Sequence, residues 1–486
     1  MKTNRLVKGF VALTAALALT ACGTSMAAEP SSTSTSNSSA STSGTSTSAT
    51  AGTSQASATT ASYETHAQAD DVDYDASTAK TITLGSGDVT ITEPGTYVLS
   101  GTLANGQVVV DSAAEGKVRI VLSNASITNS DGAAIDVRAA DEVVVVLADG
   151  TTNSLTDGKG YDTSAEDAAD AALFSMADLT IGGTGKLTVT GNTGDGIASK
   201  DGLVILGANI TVKAADDGIR GKDYLVIQGG TLDVTAAQDG LKSNNETDAD
   251  LGDVVISQGT VKISAGDDGI HAEGDLAITG GTVTVAKSNE GLEGSTITIA
   301  GGTTSVTSSD DGVNASSGSG STGGGQQGGG GMSNDGSSLV ISGGTLDVNA
   351  GGDGLDSNGT MTISGGTTTV AGPTGNGNGS LDSNGGITYT GGTLIAAGSA
   401  GMAEAPDSGN YVQSNVSAAA GATIEVVSGG TVVATYKTAK AVANIVVASD
   451  KIASGQSYDI TVNGSTAATV TAGQATRGGM GGGRRP

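Results

Sequence analysis

Acidic residues recur directly before a series of evenly spaced glycines, and their carboxylates are the first groups in this chain that could do chemistry. The glycines are Gly196, Gly218, Gly240, Gly269, Gly291, Gly312 and Gly354, mostly 21 or 22 residues apart. The acids before them, sometimes doubled, are Asp195, Asp216, Asp217, Asp239, Asp267, Asp268, Glu290, Asp310, Asp311 and Asp353. Calcium prefers carboxylate oxygens, whereas an aspartate before glycine also commonly caps its own turn. Both interpretations stay open for each acid, and we predict at least one calcium ion along the series.

Two other segments are candidates for calcium. GGDGLDSNG, which starts at Gly351 and contains Asp356, fits the glycine and aspartate spacing of calcium-binding β-rolls, although as a single copy. The insertion that holds Asp248, Asp250 and Asp253 is a weaker candidate, with a solvated loop as its alternative.

The residues around these groups predict a stack of short strands. Apolar residues alternate on both sides of a Gly-Gly corner, as in LVI at 225–227 and LDV at 232–234, and a third alternating segment follows each turn glycine. A period of two is typical of strands. A repeat of about 22 residues predicts a solenoid whose coils bury their apolar faces against one another. We therefore predict an all-β fold, a right-handed parallel β-helix, because parallel crossovers are nearly always right-handed.

The third segment has a readable inside and outside. Its third residue is always small, which predicts that it points into a crowded core: Ser199, Gly221, Ser243, Ala272, Gly294, Ala315 and Ser357. The residues between must then point outward. We call them the outward column: Ala198, Arg220, Lys242, His271, Glu293, Asn314 and Asp356.

Basic residues are concentrated in the first part of this column. Arg220, Lys242 and His271 belong to it, and Lys200 and Lys222 stand two residues beyond it in their own segments. Guanidinium and ammonium groups pair well with the carboxylates of sugar acids, so these five residues are candidates for ligand binding. The alternative is that they only neutralise the neighbouring aspartates.

Composition limits the possible partners and reactions. The formal charge is −28, and loss of Lys2, Arg5 and Lys8 in a leader would make it −31. Nucleic acid and anionic membranes are therefore poor partners. The histidines are His66 and His271 alone, with no zinc-spaced cluster and no phosphate-binding loop. The single cysteine, Cys22, leaves no disulfide to consider.

The two ends of the chain differ from the repeats. A basic and apolar start followed by LTAC predicts a secretory signal peptide whose cleavage leaves Cys22 as a lipidated first residue. The predicted organisation is a signal peptide over 1–21, a lipidated Ser/Thr-rich tether over 22–69, a parallel β-helix over 70–421 with a Gly/Ser-rich insertion at 315–337, a small β cap over 422–465 and a disordered tail over 466–486. The expected location is the outer face of a bacterial cell membrane, with contact to that membrane only through the lipid.

Several segments, in the order in which they occur, resemble one family. They are TYVLSGTLANGQVVVD, VRIVLSNASITNSDGAAIDV, the DGI/DGL and GGT coils, and the closing TYKTAK and GQSYDITVNG. The family is that of lipid-anchored carbohydrate-binding β-helix proteins that bind cellulose and polygalacturonate and have a pectate-lyase-like fold. The resemblance covers about 81–463. It implies a calcium-containing β-helix that binds acidic or cellulosic polysaccharide and has no established catalytic activity.

We therefore predict a monomeric, cell-surface carbohydrate-binding lipoprotein rather than an enzyme. The alternatives are a pectate-lyase-type enzyme, in which Arg220, Lys222 or Lys242 would be the base, and a structural or adhesive solenoid. A hydrolase with paired carboxylates is disfavoured because Asp-Asp recurs in three coils, whereas catalysis needs one pair.

Overall fold

The computed structural model describes residues 63–165, 167–317 and 334–475, and its regular structure is entirely β-strand. Thirty-one strands form one large sheet and four form a second, antiparallel sheet. The prediction of an all-β fold is thus confirmed. In the described part of the chain, no helix has the length and apolar character that crossing a bilayer requires.

The strands are numbered in chain order. The first coils contain β1 (Lys80–Leu84), β2 (Val89–Ile91), β3 (Gly95–Leu103), β4 (Val108–Asp111), β5 (Lys117–Thr128), β6 (Ile135–Ala139), β7 (Glu142–Leu147), β8 (Thr152–Thr156) and β9 (Ala171–Ser175). The next coils contain β10 (Leu179–Gly191), β11 (Asp195–Ser199), β12 (Gly202–Ala214), β13 (Ile219–Gly221), β14 (Tyr224–Thr235), β15 (Leu241–Ser243), β16 (Asp253–Ser264), β17 (Ile270–Ile278), β18 (Thr282–Ser288), β19 (Leu292–Ile299), β20 (Thr303–Ser308) and β21 (Val313–Ala315). The later coils contain β22 (Ser338–Ile341), β23 (Thr345–Asn349), β24 (Leu355–Ser357), β25 (Thr360–Ile363), β26 (Thr367–Ala371), β27 (Leu381–Ser383), β28 (Ile387–Tyr389) and β29 (Thr393–Gly398). The C-terminal part contains β30 (Tyr411–Ala418), β31 (Thr423–Ser428), β32 (Thr431–Lys437), β33 (Val442–Ala448), β34 (Ser457–Val462) and β35 (Ser465–Thr471).

Strands of the large sheet pair in parallel with the equivalent strand one repeat later. In the third segments, Ile197 pairs with Ile219, Ile219 with Leu241 and Leu241 with Ile270. The last step is longer because the insertion after Ser243 lies between the two strands. This mostly parallel sheet is consistent with the predicted solenoid. Its right-handedness stays a prediction.

Two kinds of glycine shape each coil. Gly230 turns the chain with a φ of +88°, and a Cβ there would lie 2.2 Å from the carbonyl oxygen of Ala208. Strand β14 therefore runs on through this corner, where the sequence predicted two separate strands. The turn glycine Gly218 is required by close approach instead, since its Cβ would lie 2.3 Å from Val234 and 2.4 Å from the oxygen of Gly240.

The interior follows the predicted alternation. Leu225, Ile227, Leu232 and Val234 are at most 1% exposed. The small residues of the third segments are buried beside them, as at Ser199 and Ser357, both 0% exposed. The outward column lies on the opposite face of the same strands.

The N-terminal segment packs against the strands from Tyr63 onward, so the tether predicted to reach residue 69 ends earlier. Tyr63 donates to Asp253 at 2.9 Å, and the His66 side chain lies 2.7 Å from the Tyr224 hydroxyl and 3.1 Å from Asp178. Asp71 forms an ion pair with Lys117. These contacts were missed because the segment has no strand period. Cys22 and the rest of the leader lie outside the described residues.

The C-terminal part is antiparallel. Strand β33 pairs with both β29 and β30, and the order β32-β31-β34-β35 forms the second sheet. The prediction of a disordered tail from residue 466 is wrong for 466–471. There β35 pairs with β34, Tyr458 opposite Val470, because its alternating small and polar residues suit an edge strand.

Candidate functional site

Strand pairing sets the outward column in register across the coils. Arg220 pairs with Lys242, Lys242 with His271, His271 with Glu293, Glu293 with Asn314 and Asn314 with Asp356. The column then continues to Asp382, which the sequence interpretation missed. The signal was present: LDSNG occurs at 355–359 and again at 381–385, but Ser380 replaces the turn glycine.

The first residues of the column are covered. Ala198 was predicted to point outward into solvent, yet it is 0% exposed. It packs with Phe174, and Ala169 of the 157–170 segment lies against them. This segment joins β8 to β9 and was not recognised as an insertion. It also brings Asp170 next to the basic residues.

The acidic residues directly before the turn glycines, which we call the acidic ladder, are joined by hydrogen bonds between coils. The Asp217 backbone N–H donates to Oδ1 of Asp195 at 3.1 Å, and the Asp239 N–H donates to Oδ1 of Asp217 at 3.0 Å. The Asp268 N–H continues it to Asp239 at 2.9 Å. Capping is therefore present, but each carboxylate caps the next coil rather than its own turn. Because the bond crosses coils, local spacing alone does not predict it.

The second carboxylate oxygens face the basic residues. Arg220 bonds Oδ2 of Asp195 at 2.6 Å and Oδ2 of Asp170 at 2.7 Å, with only 8% of its side chain exposed. Lys242 contacts Oδ2 of Asp239 at 2.7 Å and Oδ2 of Asp217 at 3.2 Å. These cations thus neutralise the ladder, which is the second of the two roles that the sequence left open. Of the other two candidates, Lys200 pairs with Asp170 at 3.1 Å and Lys222 is half-buried.

Burial and charge shift the pKa values of this paired region. Burial raises the pKa of Asp195 to about 7 against the opposing effect of Arg220. Burial disfavours the guanidinium, but the carboxylates of Asp195 and Asp170 outweigh it and raise the pKa of Arg220. The pKa of Lys242 is raised in the same way, mainly by Asp217. Both basic groups are therefore held in their charged forms.

His271 is the last basic residue of the column. Its Nδ1 lies 2.8 Å from Oε2 of Glu293 and 3.1 Å from Oδ2 of Asp268. Burial favours the neutral ring, but these two hydrogen bonds outweigh it and raise the pKa of His271 to about 10. The imidazolium therefore holds two carboxylates of adjacent coils together at neutral pH.

After His271 the column is acidic, with Glu293 in the next coil and Asp356 and Asp382 beyond Asn314. Burial, with the carboxylates of Asp382, Asp311 and Asp353, raises the pKa of Asp356 to about 8. Burial and Asp382 raise the pKa of Glu404 to about 7, and its Oε2 accepts from the Ser383 N–H at 3.1 Å. We call Asp311, Asp353, Asp356, Asp382 and Glu404 the C-terminal acidic cluster. Burial and neighbouring carboxylates together raise the pKa values of Asp311, Asp353, Asp356 and Glu404, whereas burial raises that of Asp382.

Several acids are placed where they could bind a metal ion. Asp239, Asp268 and His271 bring one ligand atom each within 4.8 Å of one another, and so do Asp268, Glu290 and Glu293. The first set includes a nitrogen, which suits calcium less well than oxygen does. The predicted candidates Asp216, Asp267 and Asp310 are exposed at the first position of their acid pairs. The carboxylate of Asp253 already accepts hydrogen bonds from the Tyr63 hydroxyl and the Asp275 N–H.

Comparison with known proteins places the chain in a family. The family model described as "Carbohydrate-binding domain-containing protein" matches residues 85–336, more than half of the chain. The chain belongs to this family of carbohydrate-binding domain proteins.

One relative is a "Carbohydrate-binding domain-containing protein" of Acetivibrio thermocellus, 44% identical over 131 residues. The match covers 26% of this chain and 45% of the relative, so the chain spans less than half the length of that protein. A solved structure, a polysaccharide lyase-like protein from C. thermocellum in a gadolinium derivative, is 33% identical. It matches 46% of this chain and 92% of that chain with a TM-score of 0.40.

Proposed function

We propose that this chain is a non-catalytic, monomeric carbohydrate-binding module that holds acidic polysaccharide through calcium at the C-terminal acidic cluster. The single observation that carries the proposal is the change of sign along the outward column. From Arg220 to His271, basic side chains neutralise the acidic ladder, whereas Asp356 and Asp382 follow with further carboxylates around them. The family membership supports carbohydrate as the ligand.

The residues of the cluster offer the donor atoms that calcium takes. In the described part of the chain no three of them bring ligand atoms within 4.8 Å of one another, so the ion would have to draw the carboxylates together. All five offer carboxylate oxygens, the hard donors that Ca²⁺ takes in sets of six to eight. The pKa of Asp356, raised to about 8, favours the protonated form of this group at neutral pH. A divalent cation would replace that proton and remove the repulsion. When bound, the ion would supply positive charge for the carboxylates of a polyuronate such as polygalacturonate.

Two of the three candidate lyase bases argue for binding rather than lysis. A lyase base must give up its proton before it can take one from the sugar. Arg220 and Lys242 have raised pKa values and each contacts two carboxylates, so both are poorly placed for that role. Oδ1 of Asp195 and Oδ1 of Asp217 are likewise engaged by backbone N–H groups, which disfavours a hydrolytic pair.

The proposed setting is the outer face of a bacterial cell membrane. A lipid on Cys22 and the Ser/Thr-rich segment after it would hold the module away from the membrane, in reach of soluble or wall-bound polysaccharide. The LTAC motif that ends at Cys22 supports this setting. Incorporation of labelled palmitate, lost in Cys22→Ser, tests it directly.

The function is tested by calorimetric titration of polygalacturonate into the full chain, with calcium and then with chelator, while absorbance at 235 nm is followed. We expect heat that requires calcium and no rise in absorbance. The variant Asp356→Asn with Asp382→Asn should lose this heat, and Asp347→Asn, an exposed acid on another strand, should keep it. A steady absorbance rise would instead identify a lyase. If neither condition gives heat, the result would favour the alternative that the chain is a structural solenoid.

A further inference from the structure

A polar cleft lies at the corners of the first coils, far from the C-terminal acidic cluster. Its volume is about 420 Å³. Its lining includes the corner that contains Asn105 and Gln107, the corner at 129–133, and Tyr161, Asp162 and Ala169 from the segment between β8 and β9. Asp136, at its edge, belongs to the same strand face as Asp356 and lies eight coils before it. At about 4.8 Å per coil, the two places are roughly 38 Å apart.

The wall of the cleft is an addition to the repeat. The corners that follow in the next two coils are residues 192–194 and 215–218, whereas the corner between β8 and β9 covers 157–170. No function is predicted from the sequence for this extra length. In the structure it encloses the cleft on one side, with Tyr161 and Asp162 among the lining residues.

The lining is held in place by hydrogen bonds. Asp157, 3% exposed, accepts from the Tyr161 hydroxyl at 3.0 Å and from the Asn192 N–H at 2.5 Å, so the wall is fixed to the next coil. On the other side, Asn105 accepts from the Ser130 N–H at 2.9 Å and Asn129 donates to the Ala133 oxygen at 2.9 Å. Because these hydrogen bonds already hold the lining in place, the lining loses little conformational entropy when a ligand binds in the cleft.

The lining groups define the ligand chemistry. Carboxylates of Asp88, Asp131 and Asp162 line the cleft, and its one guanidinium, Arg138, donates to Asp136 at 2.7 Å. The resulting negative charge disfavours sugar acids. Carboxylates accept hydroxyl protons, amides both accept and donate, and a half-buried tyrosine offers a ring face. A pyranose ring with free hydroxyls meets all three.

We propose that this cleft binds neutral pyranose residues of a polysaccharide, independently of calcium. The inference rests on the proposed carbohydrate-binding function, but it assigns a different place and a different sugar class from the C-terminal acidic cluster. Asp136 at the edge of the cleft and Asp356 lie on the same strand face, so one chain molecule would present a neutral-sugar site and an acidic-sugar site on the same side.

The test is calorimetric titration of the full chain, with chelator present, using gluco-, manno- and galacto-configured β-1,4 hexasaccharides and a chitosan hexamer. We expect at least one neutral hexasaccharide to bind. Tyr161→Ala should weaken its binding at least tenfold, and Asp131→Asn at least threefold, since Asp131 is exposed and its removal leaves the fold intact. Asp233→Asn, an exposed acid on β14, is the matched control and should bind as the wild type does. Equal melting temperatures of the variants exclude unfolding.

The outcomes separate this inference from the proposed function. If polygalacturonate binds with calcium and no neutral hexasaccharide binds, the cleft assignment is overturned and the proposed function stands. Hexasaccharide binding that is unchanged in both Tyr161→Ala and Asp131→Asn also overturns it, because the sugar then lies elsewhere. Tighter binding of the chitosan hexamer than of every neutral sugar overturns the neutral class. If no sugar of either class binds, both proposals fail.

Discussion

Arg220 reaches back one coil and bonds Oδ2 of Asp195 with two nitrogens, Nε at 2.7 Å and Nη2 at 2.6 Å. Both side chains are buried, 8% and 3% exposed. A carboxylate in such a place is stabilised only while its partner is present. The pair therefore joins two coils through a charge that neither coil can bury alone.

Removal of the Arg220 charge should destabilise the solenoid strongly. We expect Arg220→Met to lower the free energy of unfolding by about 3 kcal/mol at pH 7, since it leaves the buried Asp195 without its cation and Asp170 with Lys200 alone. Urea denaturation followed by circular dichroism measures the change. Lys213→Met, which removes an exposed cation from β12, is the control and should cost less than about 1 kcal/mol. If the two variants lost the same free energy of unfolding, the buried pair would contribute no more to stability than an exposed cation does.

The pH dependence of stability should carry the signature of His271. Its pKa is about 10 in the folded protein against 6.5 in a model peptide, because Asp268 and Glu293 bond its ring. A raised pKa means that the stabilisation is complete below pH 6.5 and is lost as the pH rises to about 10. We expect it to amount to at least about 1 kcal/mol.

Unfolding midpoints of the wild type and His271→Gln, measured between pH 6.5 and 10, test this expectation. The wild type should lose stability more steeply than the variant over this range. Glu273, 3.9 Å from Nε2, and Asp239 also face the ring and add to the same trend. Parallel pH profiles would mean that His271 does not titrate in this window.

The sequence was sufficient for the features that depend on period. Alternation along a strand and a fixed repeat determine which side chains face inward, so the burial of Ile227 and Ser199 and the alignment of Arg220 with Lys242 were predictable. The acidic ladder was also visible, because each of its members precedes a turn glycine. Its bonding was not, since Asp217 caps a residue that follows it by 22 positions.

The features that the sequence did not predict depend on segments that lie outside the repeat. The burial of Ala198 and the pairing of Arg220 with Asp170 both depend on the 157–170 segment, which has no period to recognise. His66 lies against Tyr224 for the same kind of reason, in a segment that looked like a tether. Asp382 was missed because Ser380 replaced the glycine used to find the copies.

Calcium should stabilise the protein more at pH 8 than at pH 5.5. In the calcium-free protein the pKa of Asp356 is about 8 and that of Glu404 about 7, both above the usual values. Their contribution to stability is therefore full below about pH 4 and is lost as the pH rises to 8. Calcium replaces protons at these groups, so its effect grows as they are deprotonated.

The same reasoning predicts an unusual result for Asp356→Asn. The amide resembles the protonated acid, so the calcium-free variant should melt at a higher temperature than the wild type at pH 8. It should also gain less from added calcium, because one oxygen charge is gone. Differential scanning calorimetry at pH 5.5 and 8, with calcium or chelator, measures both effects, and Asp347→Asn serves as the control. Two results would contradict this prediction. In the first, calcium raises the melting temperature of the wild type equally at both pH values. In the second, calcium raises the melting temperature of Asp356→Asn as much as that of the wild type. Either result would mean that the ion does not bind through these carboxylates.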